Sequence, residues 1–188
     1  LLDVGVYGLN FASWYLGKDV KEIIAQSDMY NGVDSHTCVL MKYENGGIAD
    51  ISSAILLRKP NEGYVYGTKG YAHLPRFYAP QEIELHFENG QTEKISVPYA
   101  GNGFEEQIKH FSDCILHGLT ESPVNTFEQS LFIARQMDEI RKAGDYTITQ
   151  SLTIGSKEFV IGEDFKNKDG LFYMIGEYEE VFGVVGRY

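Results

Sequence analysis

The sequence predicts an α+β fold, with an open, mostly antiparallel β-sheet that helices cover on one face. Between residues 20 and 85, short runs of β-branched and aromatic residues alternate with turn signals, whereas apolar residues after position 101 recur at helical spacing. Short connections favour antiparallel neighbours, because a parallel pair needs a crossover of about a dozen residues or more. With 188 residues and 43% hydrophobic content, the chain can bury one sizeable core.

The first predicted element is a largely buried helix over residues 3–16. Its apolar residues are too dense for the strict alternation of a strand, and Gly17 supplies a stop signal.

Seven strands are predicted to follow, at residues 21–30, 37–43, 47–57, 62–68, 71–76, 82–88 and 92–97. The turn signals between them include Asn31-Gly32 and Asn89-Gly90, and such pairs are typical of two-residue hairpins. The sheet should therefore be built from consecutive hairpins.

Two amphipathic helices are predicted after the strands. The first should cover the sheet with one apolar stripe and end at Gly118; the stripe consists of Phe104, Ile108, Phe111 and Ile115. The second should begin near Thr126, whose spacing to Gln129 has capping-box form, and should end at Gly144.

The domain organisation follows from where these patterns stop. Residues 1–145 are predicted to form one domain and residues 146–188 an extension of unassigned role, with strands expected at 146–154 and 159–161. The chain opens inside an apolar segment without an initiator Met, so we expect it to be truncated at its N-terminus.

Composition argues against several classes of partner. A net charge of -11 argues against binding nucleic acid, which needs clustered Lys and Arg. No apolar run approaches the roughly 20 residues that span a bilayer, and no charged leader is present, so a cytoplasmic protein is expected. Cys38 and Cys114 lie in apolar sequence without ligand spacing, and the five His residues form no metal-binding pattern, so we expect no metal.

Asp3 and Tyr7 are the candidate catalytic residues. They lie four residues apart, so a helix would present a carboxylate and a phenol on the same face. A phenol exchanges protons poorly at neutral pH unless a nearby cation stabilises the phenolate. Spacing alone favours a structural alternative in which Asp3 caps the helix and Tyr7 is a packed aromatic, whereas Gly5 in the first turn favours a site.

A series of segments in residues 1–144 resembles the C-terminal domain of the Gfo/Idh/MocA oxidoreductase family. These segments are Leu1-Leu2-Asp3-Val4-Gly5-Val6-Tyr7, Gly32-Val33-Asp34, Glu44-Asn45-Gly46-Gly47-Ile48-Ala49, Tyr66-Gly67-Thr68-Lys69-Gly70 and Glu121-Ser122-Pro123-Val124. Many members of the family place a histidine where this sequence has Tyr7. The pattern is therefore similar to the tyrosine branches of dimeric dihydrodiol dehydrogenase and glucose-fructose oxidoreductase.

The resemblance implies an NAD(P)-dependent oxidoreductase that acts on the CH-OH group of a sugar, polyol or dihydrodiol. It implies that Tyr7 is the acid/base, that Asp3 orients groups at the site, and that a homodimer or homotetramer forms through the sheet face. The sequence has no G-x-G-x-x-G fingerprint and no Glu-Lys-Pro motif, so NAD or NADP should bind mainly to a missing N-terminal domain. This chain alone is expected to be inactive.

Two questions stay open at this level. A non-catalytic structural or sensor module, whose sheet forms a subunit interface, would use the same fold without the chemistry. In addition, His36, Arg58, Arg76 and Tyr78 could line a substrate pocket, but ordinary sheet-surface positions explain them equally well.

Overall fold

A computed structural model describes residues 1–145 together with the two later strands Ser151–Ile154 and Lys157–Val160. The first of two compact units comprises Leu1–Asp28 and Asp34–Tyr146; Met29–Val33 and the two later strands belong to the second. The two later strands pair antiparallel with each other. They coincide with part of the strands predicted at 146–154 and 159–161, whose remaining residues lie outside the described ones.

Three helices and seven strands are described before position 146. The helices are α1 (Gly5–Leu16), α2 (Phe104–Leu116) and α3 (Phe127–Ala143). The strands are β1 (Val20–Tyr30), β2 (Val33–Tyr43), β3 (Ile48–Ala54), β4 (Gly63–Gly67), β5 (Gly70–Leu74), β6 (Glu82–Phe87) and β7 (Thr92–Ser96).

The strands form a three-stranded sheet in the order β1-β2-β3 and a four-stranded sheet in the order β4-β5-β6-β7. Neighbouring strands pair antiparallel wherever the register is resolved, as in β2 with β3 and throughout the second sheet. At the β1–β2 turn, Asn31 and Gly32 have φ of 50° and 78°, as the predicted two-residue hairpin requires. The predicted α+β class with antiparallel pairing is confirmed.

The core lies between the three-stranded sheet and two helices. Alternate residues of β2 and β3 face inward, with Val39 opposite Ile51 and Met41 opposite Ala49. They pack with Leu9 of α1 and with other buried residues, including Ala12, Tyr43, Ile133 and Ile140. The opposite face of these strands carries exposed residues such as Leu40 and Ile48. Helices α1 and α3 thus cover one face, as predicted.

Helix α1 approaches β3 closely because glycines lie at the contact. A Cβ at Gly8 would come within 2.6 Å of Ile51 Cγ2, and one at Gly5 would come within 3.2 Å of Ser53 Oγ. A Cβ at Gly5 would come still closer to Leu1 Cδ1, at 2.8 Å, so packing against Leu1 and the sheet explains this glycine, which in the sequence favoured a functional site. The helix begins at Gly5 rather than at residue 3 and ends where Gly17 takes a φ of 83°.

Helix α3 begins as predicted, with Thr126 Oγ1 accepting a hydrogen bond from the Gln129 N–H at 3.1 Å. The Gln129 side chain does not return the bond of a capping box. Its Nε2 instead donates to Ser13 Oγ at 2.8 Å and to Asn10 Oδ1 at 3.3 Å, which joins α3 to α1. Gly144 follows the helix with an ordinary φ of -81°.

The prediction that the helix ending at Gly118 covers the sheet is wrong. Helix α2 has the predicted length and stop, with Gly118 at a φ of 68°, but its apolar stripe is exposed and only Cys114 is buried. Strand bounds also differ from prediction, because β2 extends back to Val33 and β3 ends at Ala54, before the apolar run 55–57. Residues 55–57 lie beyond the end of β3 and are exposed, so this apolar run does not continue the strand.

Candidate functional site

The start of α1 places Tyr7 at the surface. Tyr7 lies in the first turn of the helix, and 52% of it is exposed. Asp3 lies in the turn just before the helix and is also exposed. The helix N-cap is Val4, with no side-chain hydrogen bond, so Asp3 does not cap the helix as the structural alternative required.

Two aromatic contacts join α1 to the loop of residues 75–80, which we call the 75–80 loop. The ring of Tyr7 lies 6.0 Å from the ring of Tyr78, centroid to centroid, and tilts by 57°. One helical turn later, Phe11 meets Phe77 edge-on at 5.4 Å. Such tilted and edge-on geometries are favourable for aromatic pairs. Tyr7 therefore packs against Tyr78 while about half of the residue stays exposed to solvent.

Backbone hydrogen bonds hold the 75–80 loop in place. Phe77 N–H donates to the Asn61 carbonyl at 3.1 Å, and Ala79 N–H donates to the Arg76 carbonyl at 2.9 Å. Arg76 has a φ of 154°, a conformation that L-residues rarely adopt and that costs about 1–3 kcal/mol. The guanidinium carbon of Arg76 lies 5.3 Å from the centre of the Tyr78 ring. Tyr7, Tyr78 and Arg76 thus form one surface cluster.

The face of the four-stranded sheet carries a second group of polar and aromatic side chains. His73 Nδ1 donates to Glu84 Oε2 at 3.1 Å, and this hydrogen bond is the main cause that holds the pKa of Glu84 below its usual range. The His86 ring stacks on Tyr71 at 4.5 Å. Among the described residues, no group of three or more His, Cys, Asp or Glu side chains could hold a metal ion.

Cys38 has polar neighbours, contrary to the apolar surroundings that the sequence suggested. Its Sγ lies 3.4 Å from His36 Nε2 and 3.5 Å from Ser52 Oγ, on the exposed face of the three-stranded sheet. His36 is therefore not beside Tyr7 on α1. Cys114 is buried, and its Sγ lies 3.6 Å from His110 Nε2.

The described residues do not provide a phosphate-binding loop for a dinucleotide. Gly67 and Gly70 pair with each other across β4 and β5, so the Gly67-Thr68-Lys69-Gly70 segment is the hairpin turn that its spacing suggested. It does not lead from a strand into a helix, as a pyrophosphate-binding loop does. No helix of the described part of the chain is long and apolar enough to cross a membrane.

Comparison with known proteins shows what the first half of the domain resembles. Residues 1–73 match the family model of the GFO/IDH/MocA C-terminal domain. This part of the chain resembles a Gfo/Idh/MocA C-terminal domain. The predicted resemblance is thereby confirmed.

The curated relatives of this chain include dihydrodiol dehydrogenases. Trans-1,2-dihydrobenzene-1,2-diol dehydrogenase from Mus musculus is 31% identical over 160 residues, which cover 80% of this chain and 47% of that protein. The Sus scrofa protein of the same name is 34% identical over 159 residues, which cover 80% and 48%. The chain therefore spans about half the length of the curated relatives it matches.

Solved structures share the fold at lower identity. An aldose-aldose oxidoreductase from Caulobacter crescentus, complexed with glycerol, superposes with a TM-score of 0.66 at 23% identity, covering 77% of this chain and 45% of that one. A 3-ketoreductase from Actinomadura kijaniata, in complex with TDP-benzene and NADP, also gives 0.66 at 24% identity, covering 76% and 46%. These structures confirm the fold of the domain.

Sequence reasoning named Arg76 and Tyr78 as possible pocket residues but did not place them in the site. The structure brings Tyr78 to Tyr7 through the 75–80 loop, which lies some seventy positions along the chain from α1. The aromatic pair Phe77-Tyr78 between two short strands is the sequence signal that could have indicated this contact. It offers two rings that can pack against Tyr7 and Phe11 of α1. Arg58 has no described contact with this cluster.

Proposed function

We propose that the intact protein is an NAD(P)-dependent oxidoreductase that acts on the CH-OH group of a sugar, polyol or dihydrodiol, with Tyr7 as its acid/base. The single observation that carries the proposal is the half-exposed phenol of Tyr7, held against Tyr78 at the start of α1. A phenol buried in the core could not reach a substrate. The dihydrodiol dehydrogenase relatives support the reaction class, and the NADP in a structural neighbour supports the cofactor.

In this proposal the chain's own residues handle the proton. When bound, the nicotinamide supplies the hydride acceptor or donor, and a domain outside this sequence holds it. Tyr7 accepts the proton of the substrate hydroxyl during oxidation and returns it during reduction. Asp3, exposed just ahead of the helix, orients the substrate or the groups that reach Tyr7. The chain alone should turn over no substrate.

Replacing Tyr7 by Phe in the full-length enzyme tests the assignment. The ring and its contact with Tyr78 should survive, while loss of the hydroxyl should lower kcat by about 100-fold and leave cofactor affinity nearly unchanged. Tyr15 offers a matched control, because it lies two turns further along α1 and is 53% exposed. Tyr15→Phe should keep wild-type kcat. Wild-type turnover in Tyr7→Phe would remove Tyr7 from the mechanism.

The open face of the three-stranded sheet favours self-association, as either a homodimer or a homotetramer. Its exposed apolar side chains Ile24, Leu40 and Ile48 line a shallow groove with Lys21, Glu22 and Lys42. Apolar groups within a charged rim are typical of protein interfaces. Sedimentation of the full-length protein tests this, and a monomer at micromolar concentration contradicts it.

The same face supports a second candidate function, a non-catalytic structural or sensor module. In that case association would persist while no sugar, polyol or diol is oxidised with NAD or NADP. The upstream sequence separates the two candidates, since a Gly-rich βαβ unit and a Glu-Lys-Pro motif there favour the enzyme.

A further inference from the structure

We propose that Arg76 is a specificity-determining residue that binds an anionic group of the substrate, a carboxylate or a phosphate carried on the sugar or diol; this rests on the proposed function. The inference names a substrate class: acidic sugars or sugar phosphates over their neutral counterparts. Three properties of Arg76 support it: its contact with Tyr78, the absence of an ion pair among the described residues, and its backbone conformation.

Arg76 is linked to Tyr7 through the ring of Tyr78. Tyr78 contacts Tyr7 on one side and carries the Arg76 guanidinium at 5.3 Å from its ring centre. The guanidinium and the Tyr7 ring therefore both lie beside the Tyr78 ring. Because both Arg76 and Tyr7 are exposed, a molecule whose hydroxyl meets Tyr7 can extend along Tyr78 toward the guanidinium.

The positive charge of Arg76 is available to a ligand. Across the part of the chain that the structure describes, Arg76 makes no ion pair with a carboxylate, although the chain has 27 Asp and Glu against 16 Lys and Arg. Arg141, by contrast, pairs with Asp138 on its own helix. A contact with an aromatic face positions a guanidinium while leaving its N–H groups free for an oxyanion.

The backbone of Arg76 is strained. Arg76 has a φ of 154°, although a glycine would adopt this conformation without cost. Hydrogen bonds on both sides of the residue keep it there, with Arg76 N–H donating to the Leu74 carbonyl at 3.1 Å and Ala79 N–H donating to the Arg76 carbonyl. Such outliers gather at ligand-binding sites. The strain is consistent with a requirement for the guanidinium itself.

The chemistry of guanidinium selects the ligand. Its planar array of N–H donors matches the two oxygens of a carboxylate or phosphate, and a hydrogen bond of this kind to a charged group contributes about 1.5–3 kcal/mol. A neutral hydroxyl in the same place gains only a fraction of that. The full-length enzyme should therefore discriminate between members of a neutral and acidic pair.

The test compares glucose with glucuronate and glucose 6-phosphate, and galactose with galacturonate, in the full-length enzyme with NADP and with NAD. Wild type should favour at least one acidic member by about tenfold or more in kcat/KM. Arg76→Gln should lose about 10- to 100-fold in kcat/KM for that member, mostly through KM, with little change for the neutral sugar. Arg76→Lys should recover part of the loss because it keeps the charge.

Lys69→Gln is the matched control, since it removes one positive charge at the other end of β5, and it should behave as wild type. Equal losses for neutral and acidic sugars in Arg76→Gln would overturn the proposal. So would a wild-type preference for the neutral members, or a failure of wild type to bind any of the acidic ones in equilibrium dialysis. A rise confined to the KM for NADP would assign Arg76 to the cofactor and overturn it equally.

The Tyr7→Phe variant separates this proposal from the proposed function. It should bind the favoured acidic sugar as wild type does while its turnover falls. If Tyr7→Phe turns over normally, the acid/base assignment fails. The selectivity measured with Arg76→Gln tests the role of Arg76 independently of that result.

Discussion

Helices α1 and α2 have opposite relations to the rest of the domain. Helix α1 has no regular separation of apolar and polar faces, yet it packs on β3 and α3 and buries Leu9 and Ala12. Helix α2 has the cleaner amphipathic pattern, yet its stripe of Phe104 and Ile108 is exposed. Periodicity therefore predicts that a helix forms but does not predict what covers its apolar face.

The two helices are also stabilised at different places. Gly5 and Gly8 allow α1 to approach β3, and Gln129 binds it from α3, so tertiary contacts along its length hold it. Helix α2 depends more on its start, where the Glu105 carboxylate accepts hydrogen bonds from the N–H groups of Gly101, Asn102 and Gly103. These differences can be tested with one leucine pair and one carboxylate.

Truncating a leucine in each helix should give the largest contrast. Leu9 in α1 is 2% exposed, so Leu9→Ala should lower the free energy of unfolding by about 2–5 kcal/mol through lost burial and a cavity. Leu116 in α2 is 80% exposed, so Leu116→Ala should change it by less than about 0.5 kcal/mol. Urea denaturation of both variants measures the contrast. A comparable loss at Leu116 would show that the α2 surface is covered in solution.

A smaller effect is expected from the start of α2 as pH falls. Hydrogen bonds from its own N–H and from Gly101, followed by those from Gly103 and Asn102, hold the pKa of Glu105 below its usual range. A carboxyl whose pKa is lower in the folded state contributes stability above the unfolded pKa and loses it as pH falls through the folded one. As pH falls below the ordinary pKa of a glutamate, about 4.3, α2 should progressively lose this contribution.

Circular dichroism and urea denaturation, as pH is lowered through that value, compare Glu105→Gln with wild type. The variant should already be less stable at neutral pH and should change less on acidification. Glu106→Gln, at the adjacent position of the same helical turn, serves as the control and should follow the wild-type curve. An unchanged Glu105→Gln curve would mean that α2 does not depend on this carboxylate.

Much of the fold could be predicted because its signals are local. Turn residues located the hairpins, Gly17 ended α1, and Thr126 began α3. Of the candidate site, Asp3 and Tyr7 could be proposed from spacing and resemblance, and their catalytic roles stay a prediction. Tyr78 and Arg76 could not be joined to Tyr7, because the contact depends on how the 75–80 loop returns to α1.

The sequence by itself determined the order and type of the elements, since propensity, capping and turn chemistry act over a few residues. Only the tertiary structure decided that α1 and α3 cover the sheet while α2 leaves its apolar face exposed, and that a phenol, an aromatic ring and a guanidinium meet at one surface. Those outcomes depend on the packing of residues distant in the chain, which local patterns do not encode.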